Sequence, residues 1–272
     1  MTDSEQSNDL WRGVDLSGIT LVLGVGAGRL VELLAQEALQ AGGLVVLASY
    51  ARSALDTCAE LSARLPIERL CARPRHLPLA DASVDLCVIN GSLRETPVVH
   101  YRTLLEELWR VLVPGGHLRV ADLIAPSGEP TGATWARRSA MIAELGQALG
   151  RPVALHADVR ALAEAMREVG YESMAVSLLP GYALTDEWLS DTIEAIRAMS
   201  SRVADPEIRR KLLDRDLRAL IASYRAGDQR AAERFAMRGN KVGNLALDME
   251  TAGTEEVLAA RDEAPFDLDV QP

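Results

Sequence analysis

The sequence predicts an α/β fold: a doubly wound, mainly parallel sheet with a helical C-terminal addition. Three observations carry this. Short apolar runs alternate with helix-spaced amphipathic stretches from about residue 20 to residue 180, and each parallel crossover needs a helix. The first run, Leu21-Val22-Leu23, stops at Gly24-Val25-Gly26-Ala27-Gly28 and passes straight into a helical pattern, which reads as buried strand, glycine turn and helix. Ser49, Asn90 and Asp122 close later apolar runs, and ligands of such sheets bind beyond the carboxyl ends of the strands.

Each element follows from its local pattern. Leu10, Trp11 and Val14 make a short amphipathic lead-in, so residues 1–13 are expected to be disordered or to lead into the fold. The first strand is 20–23. Leu30, Leu33, Leu34 and Ala38 share a face of the first helix, which stops at Gly42-Gly43. Strand 44–48, helix 51–65 and strand 67–72 follow, with Pro66 closing the helix. Pro78 and Ala80-Asp81-Ala82-Ser83 form a turn before strand 84–89. Helix 101–112 carries Leu104, Leu105, Leu108 and Leu112 on one face, breaks at Pro114-Gly115-Gly116 and leads to strand 118–123. Helix 135–149 comes next. Asp158 is expected to cap helix 159–169, which stops at Gly170 before strand 174–179.

Residues 14–180 thus form the main domain, and 181–250 read as the helical addition. Thr185 caps a helix with Trp188, Leu189, Thr192, Ile193 and Ile196 on one stripe, which suits a lid, core packing, a homodimer or a protein partner across helices 185–238. Asp205-Pro206 opens a helix to about residue 226. Asp228 is expected to cap another helix to 238, and 241–249 reads as a late strand. Residues 251–272 form a loose acidic tail.

Composition narrows the function. Among 272 residues the net charge is −10 and the pI about 5.0, so no basic face points to nucleic acid. No apolar run reaches the ~18 residues of a membrane span, and the polar start MTDSEQSND is no signal peptide. A cytoplasmic protein is expected. Cys58, Cys71 and Cys87 form no C-x-x-C pair and have no zinc spacing. They read as buried, reduced thiols, and no metal site is expected.

The stretches LPLADASVDLCVINGSL and LLEELWRVLVPGGHLRVAD, with the G-x-G-x-G turn, resemble class I S-adenosylmethionine (SAM) methyltransferases. The likeness is to the small-molecule kind, the arsenite and ubiquinone/menaquinone methyltransferases. It covers residues 18–123 well and 156–179 loosely. The resemblance implies a Rossmann-like class I methyltransferase fold, SAM as cofactor and a small molecule as methyl acceptor. It implies cofactor contacts from Gly24, Gly26, Gly28, Ser49, Leu77 and Asn90.

The chain departs from the family at three polar anchors. Val22 stands where an acidic residue usually precedes the glycines. Ser49 replaces the acid that holds the ribose, and Arg73 stands near the place of an Asp that meets the adenine amine. A carboxylate on ribose hydroxyls makes charge-assisted bonds of roughly 1.5–3 kcal/mol each, so SAM binding is expected to be weak. Asp81 is a candidate to restore the adenine contact. Methyl transfer relies chiefly on in-line positioning, with a base needed where the acceptor carries a proton. Asn90, His100 and Tyr101 are the candidate catalytic residues; Arg94, Glu95 and Asp122 lie in the same region. Two functions follow: a SAM-dependent small-molecule methyltransferase, or a non-catalytic relative that has lost SAM and serves as a partner or scaffold subunit.

Overall fold

The computed structural model describes residues 10–24, 28–125, 132–151, 153–179 and 181–243. Among the described residues seven strands form one sheet: Ile19–Leu23 (β1), Leu44–Ser49 (β2), Ile67–Cys71 (β3), Val84–Asn90 (β4), Leu112–Leu123 (β5), Tyr171–Leu179 (β6) and Arg234–Lys241 (β7). Their order is β3-β2-β1-β4-β5-β7-β6. The first five pair in parallel, while β7 runs antiparallel to both β5 and β6. The order reverses between β1 and β4, and a crevice opens at the carboxyl ends on either side of such a reversal.

Alternation along the strands divides the core. Leu21, Leu23, Cys87 and Ile89 face one layer with Leu105 and Leu108 of the helix Tyr101–Val111 and Leu162 and Met166 of Val159–Val169. Val22, Val45, Leu47, Leu86 and Val88 face the other, against Leu30, Leu34 and Ala38 of the helix Gly28–Ala41. Trp11 packs into this second layer and its Nε1 donates to Glu37 Oε2 at 2.6 Å. We label Gly28–Ala41 α1, Arg52–Asp56 α2, Ala59–Ser62 α3, Tyr101–Val111 α4, Ala133–Ala148 α5, Val159–Val169 α6, Asp186–Ser200 α7, Pro206–Arg210 α8 and Leu217–Arg225 α9; a π-helical turn, Lys211–Asp216, joins the last two.

Several caps stand where the sequence places them. Asp158 Oδ1 accepts from Ala161 N at 2.9 Å, and Gly170 closes α6 at φ 104°. Thr185 caps α7 and Asp205 caps α8. The stripe of α7 packs inward: Ile196, with Leu189 and Ile193, meets Met141 and Leu145 of α5 and Leu217 and Leu220 of α9.

Other expectations are corrected. The single helix at 51–65 is two short ones, because the Thr57 hydroxyl bonds back to Ala54 O at 2.6 Å and Cys58 leaves helical geometry. No helix spans 228–238. Phe235, Met237 and Gly239 are buried at alternate positions, so the segment is strand β7, seven residues of which pair with β5. Of the late strand expected at 241–249, Lys241 ends β7 and residues 242–243 lie outside any strand, while residues 244–249 fall outside the described residues. Asp228 caps α5 instead, accepting from Ala133 N. Cys71 is exposed at the end of edge strand β3, whereas Cys58 and Cys87 are buried. Residues 1–9 and the acidic tail at 251–272 also lie outside the described residues.

Candidate functional site

A cavity of about 350 Å³ opens at the reversal point. Leu23 and Gly24 come from the end of β1. Ala48, Ser49 and Tyr50 leave β2, and Arg73, Pro74 and Arg75 follow β3. Ile89, Ser92, Leu93, Glu95, Thr96, Pro97, His100 and Leu104 complete the wall from β4 to α4. Four strand ends distant in sequence thus meet at one place.

The structure sorts the residues expected at a site. Gly24, Ser49 and His100 line the cavity, as does Arg73. Gly24 has φ 88°, and a Cβ there would lie 2.5 Å from Ser92 Cβ. Its missing side chain makes room for Ser92, whose hydroxyl donates to Leu23 O at 2.8 Å. Gly28 begins α1, and Gly26 lies outside the described residues. Ser49 Oγ accepts from Ala51 N at 3.2 Å, which leaves its hydroxyl proton to donate.

Leu77, Asn90 and Tyr101 are not among the lining residues. Leu77 is buried in the core between Glu107, which accepts from its N–H at 2.6 Å, and Arg110, which donates to its carbonyl at 3.0 Å. Asn90 ends β4 opposite Ala121. Tyr101 is 2% exposed. Burial pushes its hydroxyl above the ordinary range, with a smaller opposing effect from the Asp158 backbone. Asp81 turns outward to pair with Arg110, which also grips Leu79 O at 2.9 Å and Glu107. The arginine of the RVLVPGG stretch is therefore a clamp for the 77–81 loop.

Behind the cavity lies a buried ion pair. Asp122 is fully buried and accepts from Arg94 Nε at 2.6 Å, Arg94 N at 3.2 Å and Leu123 N at 2.8 Å. Arg94 also donates to the carbonyls of Ala154 and Leu155, each at 3.3 Å. Breaking such a pair from one side costs about 3–5 kcal/mol. Its role is to hold the β4 exit against the β5 end. Glu95 keeps an open face to solvent while its carboxyl reaches the wall. Desolvation first, then Asp122, push that carboxyl up, against the pull of Arg94 and Arg151. Arg151 lies over the Tyr50 ring at 4.9 Å.

Sequence reasoning missed Tyr50, Arg75, Ser92 and Thr96. Ser92 was within reach of it: it follows the strand end Asn90-Gly91, and Gly91 turns the chain at φ 71°. Among the described residues no cluster of His, Cys, Asp and Glu suits a metal ion, and no helix is long and apolar enough to cross a membrane.

The fit to an adenosyl ligand rests on these donors. Leu23, Ala48, Ile89, Leu93 and Leu104 give apolar walls, Ser49 and Tyr50 offer hydroxyls, Glu95 offers a carboxyl, and Arg73 and Arg75 offer guanidinium planes that stack on flat rings. The volume falls within the roughly 300–1,000 Å³ of small-molecule sites. The residues present fit such a group, without a carboxylate at the β2 end.

Comparison with known proteins bears on the domain and the fold. Residues 21–120 match the family model described as a methyltransferase domain. A demethylmenaquinone methyltransferase of Corynebacterium urealyticum is 30% identical over 115 residues, 42% of this chain and 46% of that relative. The matched stretch is thus just under half of the relative's length. Among solved structures, phosphoethanolamine N-methyltransferase 2 of Haemonchus contortus aligns over 88% of this chain and 52% of its own, with a TM-score of 0.52 and 15% identity. Geranyl diphosphate C-methyltransferase of Streptomyces coelicolor aligns over 88% and 81%, with a TM-score of 0.50 and 14% identity. Likeness at that identity speaks to the fold alone.

Proposed function

We propose, from a chain whose residues 21–120 match the family model described as a methyltransferase domain, that this protein binds SAM in the β1–β4 cavity and methylates a small molecule. The observation that carries the reading is the convergence of the β1, β2, β3 and β4 ends on a single cavity of ligand size. The related proteins act on, or were solved with, demethylmenaquinone, geranyl diphosphate and phosphomonomethylethanolamine, which supports a small acceptor.

When bound, SAM supplies an electrophilic methyl group on sulfur. The chain's residues bind, orient and exclude water. The five apolar walls hold the adenosine, and the Ser49 hydroxyl donates to a ribose oxygen. The Glu95 carboxyl, once ionised, accepts from the ammonium of the amino-acid tail. Arg73 and Arg75 stack on or donate to the purine. His100 is the candidate to take a proton from the acceptor, because its ring lines the cavity beside Pro97 and Leu104. Tyr101 supports the start of α4 rather than the chemistry.

Calorimetric titration tests this. SAM and S-adenosylhomocysteine should bind measurably but weakly. Ser49→Asp should tighten both by up to roughly 1.5–3 kcal/mol, about ten- to a hundredfold. No heat with either ligand at millimolar concentration, in wild type and variant alike, would overturn the reading.

A further inference from the structure

Beside the cavity, the helical addition builds a second constellation. Trp135 and Trp188 stack with centroids 5.8 Å apart and planes 22° apart, and Tyr182 meets Trp135 edge-on at 6.2 Å. The Arg138 guanidinium lies 5.5 Å from the Trp135 ring and 5.8 Å from that of Trp188. Leu123, at the carboxyl end of β5, packs in the same cluster. The cluster is therefore next to Asp122 and Arg94 and beyond the same edge of the sheet as the cavity. Trp135 is buried, while Trp188, Tyr182 and Arg138 keep a partly open edge.

Four polar atoms here are unsatisfied. Thr134 Oγ1, Trp135 Nε1, Arg138 Nε and Ser139 Oγ are buried without a hydrogen-bond partner among the described residues. These four positions are i, i+1, i+4 and i+5 of α5, one face of the helix. Native interiors satisfy the great majority of such atoms, so four on one face need a further partner. Arg138 has no carboxylate in an ion pair among the described residues. Desolvation holds its guanidinium below the ordinary range; Tyr182 opposes this, and the smaller effect of the Arg94 charge adds to it. A largely buried cation beside aromatic rings, with no carboxylate partner among the described residues and in a chain of net charge −10, is a place that a ligand anion would complete.

We propose that this face binds the methyl acceptor, and that the acceptor joins a carboxylate or phosphate to a flat apolar body. The proposal rests on the methyltransferase reading. The anion takes the donors of Arg138 in charge-assisted bonds, and Trp135 Nε1 and the hydroxyls of Thr134 and Ser139 complete its shell. The apolar body lies along the open edges of Trp188 and Tyr182. The anchor thereby holds the acceptor's far end beyond β5 while the end to be methylated turns toward the cavity.

The test titrates the full chain with 2-naphthoate, 2-naphthyl phosphate and neutral 2-naphthamide, each with and without S-adenosylhomocysteine. At least one anion should bind about tenfold or more tightly than the amide, one hydrogen-bonded charge's worth of discrimination. The tighter anion names the charged group of the acceptor. Arg138→Met should remove the preference and leave the affinity for S-adenosylhomocysteine unchanged. Trp188→Leu should weaken all three probes together. Three probes binding equally, no probe binding at millimolar concentration, or a preference that survives Arg138→Met would each overturn the proposal. Equal binding of the three probes to wild type overturns the proposal even if a variant fails to fold. Binding of S-adenosylhomocysteine without the anions sinks this inference alone, whereas anion preference without S-adenosylhomocysteine binding sinks the cofactor reading alone.

Discussion

Asp122 shows what a side chain at a strand end does when it is not a catalyst. Its carboxylate is fully enclosed by Arg94 and two backbone amides, and the same Arg94 acts on His156. That imidazole is held below its ordinary 6.5, first by desolvation and then by the Arg94 charge. On acidification the unfolded chain takes up a proton at a pH where the folded chain refuses it. The stability this contributes is present above about 6.5 and is lost as the pH falls toward the lowered value. His156→Gln should therefore show a smaller drop in melting temperature than wild type between about pH 8 and about pH 5. An equal drop in both would show that His156 does not contribute. Residue roles were the least legible part of the sequence. Ser49 and His100 could be placed at strand and helix ends from local pattern, so both reached the cavity wall. Leu77, Asp81 and Tyr101 were expected at the site and do not line the cavity, because only the fold reveals that Arg110 draws the 77–81 loop away and that Tyr101 turns into the core.

Elements were more legible wherever their ends carry a chemical signal. Helix α6 is bounded by a side-chain cap at Asp158 and a left-handed glycine at 170, and both were readable. Asp158→Ala should cost about 1 kcal/mol. Gly170→Ala should cost about 1–2 kcal/mol, since a Cβ there would meet Trp109 only at 3.6 Å and the penalty lies in φ alone. Urea unfolding of the two variants measures both; no loss at Gly170→Ala would mean that the turn relaxes. Helix signals failed where tertiary pairing outweighs propensity. The segment around Phe235 is rich in Ala, Glu, Arg and Met, all helix formers. It is nevertheless a strand, because Phe235 and Met237 fill the core between β5 and β6. Period-two burial was present in the sequence, but the helical composition masked it.

Across the whole molecule, strand–helix alternation made the parallel part of the sheet legible. The insertion of β7 was not, because nothing local tells a late strand which neighbours it will join. That insertion bears on how the chain is made. During synthesis β5 is complete long before its outer neighbour exists: β7 emerges about 110 residues later, some 5–20 s at roughly 5–20 residues per second. Strand β6 is made in between and, among the described residues, has no partner but β7, so it too must wait. Two unpaired edges thus face the nascent chain's surroundings, and the helices α5 to α9 are synthesised in that interval. A chain ended at Gly227 should lack the strand that joins β5 to β6 and should pellet on centrifugation where the full chain stays in the supernatant. Recovery of the shortened chain as a monodisperse species would show that the edges are shielded by other means. The last described strand to leave the ribosome is therefore the one that closes the sheet, and a ribosome that stalls before it releases a chain with its middle open.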